Sequence, residues 1–182
     1  MARVYLSLGS NLGDRLSTLR GAVGRLREDA ALHLLGASRL YEAEPWESEP
    51  GQTRGATRWY LNGIVALETS LPPRVLLRHL QAIEDALGRT RHADTPEAQR
   101  FHPRTLDIDI LFYGDEVISV PDDLHIPHLL LDQRAFVLGP LAEIAPDLQH
   151  PTLYRTVREL RDELVDEHDV RPSDDPARWF ES

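Results

Sequence analysis

Residues 106–112 read Leu106-Asp107-Ile108-Asp109-Ile110-Leu111-Phe112. Apolar and acidic side chains alternate, which is the period of a β-strand whose successive residues face opposite ways. The alternation predicts that Leu106, Ile108, Ile110 and Phe112 share one face and pack inward. Asp107 and Asp109 share the other, with Cα atoms about 6.5 Å apart. Two carboxylates at that spacing repel unless something positive lies between them. A hard dication bound through oxygen is one solution, and Mg²⁺ leaves coordination positions for phosphate oxygens. Arginine partners, or a face turned to solvent, are the others.

Upstream of this strand the chain is rich in arginine. Arg104 stands three residues before Asp107, Arg100 just before that, and Arg89 and Arg91 at the start of the polar segment 89–103. A carboxylate pair beside several arginines resembles phosphoryl-transfer equipment, with metal on bridging oxygens and arginine on developing charge. A surface lattice of salt bridges is the plainer alternative. Before this segment, Ser70-Leu71-Pro72-Pro73 predicts a helix start, Leu76, Leu80, Ile83 and Leu87 its buried stripe, and Gly88 its stop. Gln81 and Glu84, three apart, share a face of that helix. Trp59 to Glu68 reads as a strand that puts Tyr60 and Asn62 on one side. An aromatic ring plus a carboxamide can grip a flat heterocycle, although Tyr60 reads equally as a core residue.

At the N-terminus, Val4–Leu8 predicts a strand, and Gly9-Ser10-Asn11-Leu12-Gly13 a turn into a helix striped by Leu16, Leu19, Val23 and Leu26. That turn matches neither a P-loop nor a dinucleotide fingerprint. Residues 32–44 read as one strand and 47–58 as a long loop. After Phe112, Gly114-Asp115 predicts a hairpin into a short strand at Val117–Ser119. His128 reads locally as a structural histidine. Helices are expected at about 132–144 and along Leu153, Val157, Leu160 and Leu164. The Pro/Asp/Ser-rich stretch from Val170 is expected to fray. The mixture predicts an α+β fold of two or three layers with a mainly antiparallel sheet.

Composition narrows the chemistry. The 182 residues hold 41% hydrophobic and 27% charged side chains, an ordinary globular balance. There is no cysteine, so disulfides, thiolate metal sites and cysteine nucleophiles are excluded. There is no lysine either; all 20 basic residues are arginine, so P-loop, protein-kinase and Schiff-base lysines are excluded too. A net charge of -10 argues against binding nucleic acid or an anionic membrane. The sequence holds no apolar run of membrane-spanning length and no signal-peptide pattern, so a cytoplasmic location is expected.

The stretches Tyr5–Asp14, Tyr41 with Glu42-Ala43-Glu44-Pro45-Trp46, Tyr60-Leu61-Asn62, Pro103–Leu111 and Pro140–Pro146 occur in that order. Together they closely resemble the 6-hydroxymethyl-7,8-dihydropterin pyrophosphokinase family over about residues 1–160. The resemblance implies a ferredoxin-like α+β fold, its antiparallel sheet flanked by helices. It implies transfer of the diphosphate of ATP to the pterin hydroxymethyl group, with release of AMP, in folate biosynthesis. Two Mg²⁺ ions would be held by Asp107 and Asp109, and Arg89 and Arg104 would act on the phosphates as catalytic residues. The pterin would lie between Tyr60 and Phe136, hydrogen-bonded by Asn62 and lined by Ala43, Glu44 and Trp46. Gln81, Glu84, Arg91, Ile110, His128 and Arg134 match positions around ATP. Expected partners are these two small molecules alone, and the expected state is a monomer. The resemblance divides the chain into a pyrophosphokinase domain, 1–165, and an acidic C-terminal tail, 166–182. His102 stands where the family usually has Gly or Ala. A non-catalytic ferredoxin-like module binding a nucleotide or metabolite is the competing class. It would need neither the aspartate pair nor arginines in register with it.

Overall fold

Strand β1 (Ala2–Ser10) sorts its side chains by parity. Val4, Leu6 and Leu8 enter one hydrophobic cluster, whereas Tyr5 enters another on the opposite face of the sheet. The same sorting runs through β4 (Tyr60–Thr69), where Leu61, Val65 and Leu67 join the first cluster and Ile64 and Ala66 the second. A sheet buried on both faces needs helices on both, and it has them. The computed structural model describes residues 1–46, 59–88, 105–121 and 123–181. The expected loops 47–58 and 89–103 lie outside these residues.

On the first face lie α1 (Arg15–Glu28) and α2 (Pro73–Ala86). Asp14 caps α1 by accepting the Ser17 N–H, and α2 opens on proline, whose missing N–H costs nothing in a first turn. Their buried stripes, Leu19-Ala22-Val23-Leu26 and Leu76-Leu80-Ile83, follow the predicted spacing. On the second face lie α3 (Ala135–Ile144) and α4 (Val157–Glu163), which contribute Val137, Leu138, Leu141 and Val157.

With β2 (Leu32–Ala37), β3 (Tyr41–Ala43), β5 (Asp107–Tyr113) and β8 (Val170–Pro172), the main sheet has six strands. Their order is β5-β1-β4-β3-β8, with β2 also on β4, and every pairing is antiparallel. With β2 and β3 counted as one interrupted strand, the element order through β5 is the split βαββαβ arrangement of ferredoxin-like folds, as expected.

Five local expectations are corrected. The strand expected over 32–44 is two strands. Between Ala37↔Val65 and Tyr41↔Asn62 the β2–β3 side has one residue more than β4, and Ser38 fills the break, its Oγ accepting the Ile64 N–H at 2.9 Å. Phe112 does not share the face of Leu106, Ile108 and Ile110. β1 pairs Leu6 with Ile110 but Tyr5 with Phe112, so Leu111 is an extra residue and the bulge turns Phe112 onto Tyr5. The strand after Gly114 does not pair back on β5; β6 (Ile118–Val120) pairs with β7 (Leu124–Ile126). The last helix starts only at Val157, because Thr156 and Glu159 form a capping box there, and Leu153 is left 42% exposed.

The stretch from Val170 does not fray. Strand β8 adds to the edge of β3, with Arg171 opposite Glu42, and Trp179 is wholly buried in the α1–α2 cluster. Its Nε1–H donates to the Ser38 carbonyl at 2.9 Å. Short strands are fixed by the edge they find, and a composition-based reading does not see that edge.

Candidate active site

The sheet face that carries α3 and α4 continues beyond Tyr5, Ile64 and Phe112. There the same parity presents Ser7 and Gly9 from β1, Tyr60 and Asn62 from β4, and Asp107 and Asp109 from β5. Register partners in an antiparallel sheet point to one side, so Asn62, Gly9 and Asp107 form one row and Ile64, Ser7 and Asp109 the next. These residues floor a cavity of about 640 Å³. Its walls are Glu44 and Trp46 after β3, His128, Leu129 and Leu130 after β7, and Arg134 and Phe136 at the start of α3.

The cavity has two ends of different character. At one, Asp107 and Asp109 stand beside His128, whose Nε2 is 4.0 Å from Asp109 Oδ2. Burial, and then Arg134, push the His128 imidazole down to about 4, against the pull of Asp107. At neutral pH this contact therefore joins a neutral ring to a carboxylate. The ring's Nδ1 accepts the Leu130 N–H at 3.2 Å, leaving the proton on Nε2. Among the described residues no group of three or more His, Asp and Glu side chains converges as a closed metal cage. Two carboxylates in an open pocket, with oxygen donors only, fit Mg²⁺, which keeps water and substrate oxygens in its shell.

At the other end the walls are aromatic. The Arg134 guanidinium lies 4.9 Å from the Trp46 ring centre and 5.6 Å from that of Phe136. Asn62 is 3% exposed, and among the described residues its Nδ2 has no hydrogen-bond partner. Gly9 makes room for it: a Cβ on Gly9 would come within 2.8 Å of Asn62 Oδ1.

The cavity thus gathers Glu44, Trp46, Tyr60, Asn62, Asp107, Asp109, His128, Arg134 and Phe136 from the sequence-derived set. Ala43 is buried on β3, beside Glu44, and Ile110 is in the core. Gln81 stays on α2, away from the cavity lining. Glu84 is 2% exposed beneath the floor, where its Oε1 accepts the Ile108 N–H at 2.8 Å, between the two aspartates. Arg89, Arg91 and Arg104 lie outside the described residues. Ser7, Gly9, Leu129 and Leu130 also line the cavity, outside the sequence-derived set of site residues. Ser7 lies within the predicted strand Val4–Leu8, and Gly9 one step of the same alternation beyond it, where a turn is expected.

A carboxylate pair facing an aromatic-walled slot across an antiparallel sheet suits a metal-bound phosphate at one end and a flat small molecule at the other. Residues 5–146 match the family described as 7,8-dihydro-6-hydroxymethylpterin-pyrophosphokinase. The chain is 43% identical over 148 residues to the 2-amino-4-hydroxy-6-hydroxymethyldihydropteridine pyrophosphokinase of Methylorubrum extorquens, covering 81% of this chain and 85% of that protein. The enzyme of the same name from Pseudomonas aeruginosa is 40% identical over 149 residues, covering 82% and 84%. Folic acid synthesis protein fol1 of Pneumocystis carinii is 36% identical over 171 residues, 93% of this chain but only 21% of that longer protein. Among solved structures, a Plasmodium falciparum HPPK-DHPS triple mutant superposes with a TM-score of 0.67 at 18% identity, covering 89% of this chain and 43% of that one. The chain belongs to the 7,8-dihydro-6-hydroxymethylpterin-pyrophosphokinase family.

Proposed function

We propose that the cavity is where this chain carries out its family's reaction, transfer of the diphosphate of ATP to the hydroxymethyl oxygen of 6-hydroxymethyl-7,8-dihydropterin. The observation that carries the assignment is the Asn62 amide. A buried donor without a partner costs about 1–3 kcal/mol unless something accepts from it. A pterin edge, with its carbonyl and ring nitrogens, supplies such acceptors, and Tyr60, Trp46 and Phe136 offer apolar walls for its rings.

Asp107 and Asp109 would hold Mg²⁺, and we assign two ions to them. The metal supplies charge neutralisation on the phosphate oxygens that otherwise repel the incoming hydroxyl. The remaining contribution comes from the chain itself. Asn62 and the aromatic walls hold the acceptor in line with the phosphates, converting a two-body encounter into an oriented one. Neutral His128 adds no positive charge to compete beside the carboxylates. Glu84 pins the β5 backbone between them. Arg89 and Arg104 act on charge that develops in transfer, and Arg91 on ATP.

Residues 1–165 form the catalytic unit in this reading and 166–182 its support. A monomer in the cytoplasm belongs to the same proposal, and sedimentation tests the monomer. No described helix is long and apolar enough to cross a membrane. The deciding assay mixes protein, ATP, Mg²⁺ and the hydroxymethyl-dihydropterin. AMP formed in step with pterin diphosphate is expected. ADP in place of AMP, or no turnover at all, rejects the assignment.

A further inference from the structure

Residues 166–169 lie beyond the matched family segment, yet they touch three parts of the cavity wall. Asp166, whose side chain is 4% exposed, accepts the Ala135 N–H on Oδ2 at 2.9 Å. Its Oδ1 accepts the His168 N–H at 3.0 Å and lies 2.6 Å from His168 Nδ1, which must carry the proton because a carboxylate only accepts. Ala135 is the first residue of α3, and Arg134 at the N-cap makes no side-chain cap of its own. Asp166 therefore supplies, from a distant point in the chain, the acceptor and negative charge that the first turn of α3 calls for. That turn carries Phe136.

The next residues hold the opposite wall. The His168 ring lies 6.2 Å from the Trp46 ring, centre to centre, at an interplanar angle of 30°. Asp169 exchanges two backbone-anchored hydrogen bonds with Glu44: the Glu44 N–H donates to the Asp169 carbonyl at 3.0 Å, and the Asp169 N–H donates to Glu44 Oε2 at 3.1 Å. The Glu44–Trp46 segment and Phe136 are far apart in sequence, and 166–169 clips them together.

We infer that Asp166 and His168 are positioning residues for the heterocycle end of the cavity, fixing Trp46 and the first turn of α3 before substrate arrives. The inference rests on the reading that this end receives the pterin. Burial works against ionising Asp166, but the hydrogen bonds from Ala135 and His168 outweigh it and hold the carboxyl below its ordinary range, so the clip is charged at neutral pH. A wall ordered in advance spares the ligand the entropy of ordering it, and that saving falls on the pterin rather than on ATP.

The test compares Asp166→Ala, His168→Ala, His168→Phe and Asn62→Ala with the unaltered chain, reading KM and calorimetric affinity for the pterin and for ATP or a non-hydrolysable analogue. Asp166→Ala, which loses the acceptor for Ala135 and His168, and His168→Ala, which loses the ring against Trp46, are each expected to weaken pterin binding about tenfold, while ATP changes by less than about twofold. His168→Phe keeps a flat ring against Trp46 and is expected to recover to within about threefold. Equal losses for both ligands would show a structural role only and overturn the inference. So would pterin affinity left intact in Asp166→Ala, or a phenylalanine no better than alanine at 168. Asn62→Ala separates the two levels: if it alone leaves pterin affinity unchanged, the placement of the pterin has failed. If it weakens the pterin while Asp166→Ala does not, only the clip has failed.

Discussion

Asn62 and Asp107 are joined through a single backbone position, since Gly9 is the register partner of both, one on each side. The carboxamide and the carboxylate therefore stand two strand spacings apart, roughly 10 Å, with nothing but a bare Cα between them. In the proposed placement, a heterocycle at Asn62 would meet the aspartates across Gly9.

Gly9→Ala tests that gap. The added methyl would meet Asn62 Oδ1 at 2.8 Å, and the yielding group is the end of a side chain rather than backbone. The fold is expected to survive while pterin affinity falls about tenfold or more, with ATP affinity little changed. Calorimetry on both ligands checks this; unchanged pterin binding would mean that Asn62 does not contact it.

Asp107→Asn and Asp109→Asn are each expected to abolish AMP formation and leave the circular dichroism spectrum intact. Each change removes one ligand for the metal and also relieves repulsion between like charges, so the melting temperature should hold or rise. Near-normal turnover by either variant at saturating Mg²⁺ would refute the metal assignment.

For Arg89→Ala and Arg104→Ala the loss is expected mainly in kcat. A side chain that acts on developing charge contributes little to ground-state affinity. Lysine at either position should restore activity only in part, because the planar fork is lost. A raised KM for ATP with kcat unchanged would make that arginine a binding residue instead.

Glu42 should give the fold a measurable acid sensitivity. Its carboxylate accepts from Arg171 at 2.8 Å and from Arg15 at 2.9 Å. The Arg171 hydrogen bond, opposed by burial and aided by Arg15, holds the carboxyl below its ordinary value of 4.5. A depressed folded-state pKa means that the ionised group adds stability present in full above the unfolded value. That stability is lost as pH falls through the lower folded value. The gap in melting temperature between the unaltered chain and Glu42→Gln should be widest near neutrality and narrow as pH falls below the ordinary value of 4.5. A gap independent of pH would show that packing, not charge, is responsible.

Trp179→Ala is expected to cost about 3–5 kcal/mol, the range for emptying a buried aromatic site. In a chain of this size that lowers the melting temperature by on the order of 10 °C. Trp179→Phe should lose less, mainly the hydrogen bond to Ser38. A melting curve unmoved by Trp179→Ala would mean that the C-terminal stretch is not part of the cooperative core.

Much of this could be read in the sequence because burial imposes periodicity. The stripes of α1 and α2 and the alternation in β5 are each dictated by a face that must leave water, and Asp107 and Asp109 stand out as the charged residues such alternation leaves over. What stayed hidden depends on partners rather than on period. The bulge at Leu111 is set by the register of β1, and no local signal marks it. β6 turned to β7 instead of β5, although Gly114-Asp115 is a sound turn in either case. Glu84 enters the expected site only through the family resemblance, and its hydrogen bond to Ile108 shows only once α2 lies against β5. The stretch from Asp166 to Trp179 looked like solvated tail because its polar residues bond to backbone and its few apolar ones are far apart.

The burial of Trp179 also bears on the order in which the protein is made. The largest side chain wholly enclosed in the α1–α2 cluster enters 141 residues after Ser38, whose carbonyl it bonds. On a ribosome, β1 to β5 emerge with that space unfilled beside Leu40 and Gly63. A chain in which residue 179 is not yet in place therefore leaves that apolar space open to other chains.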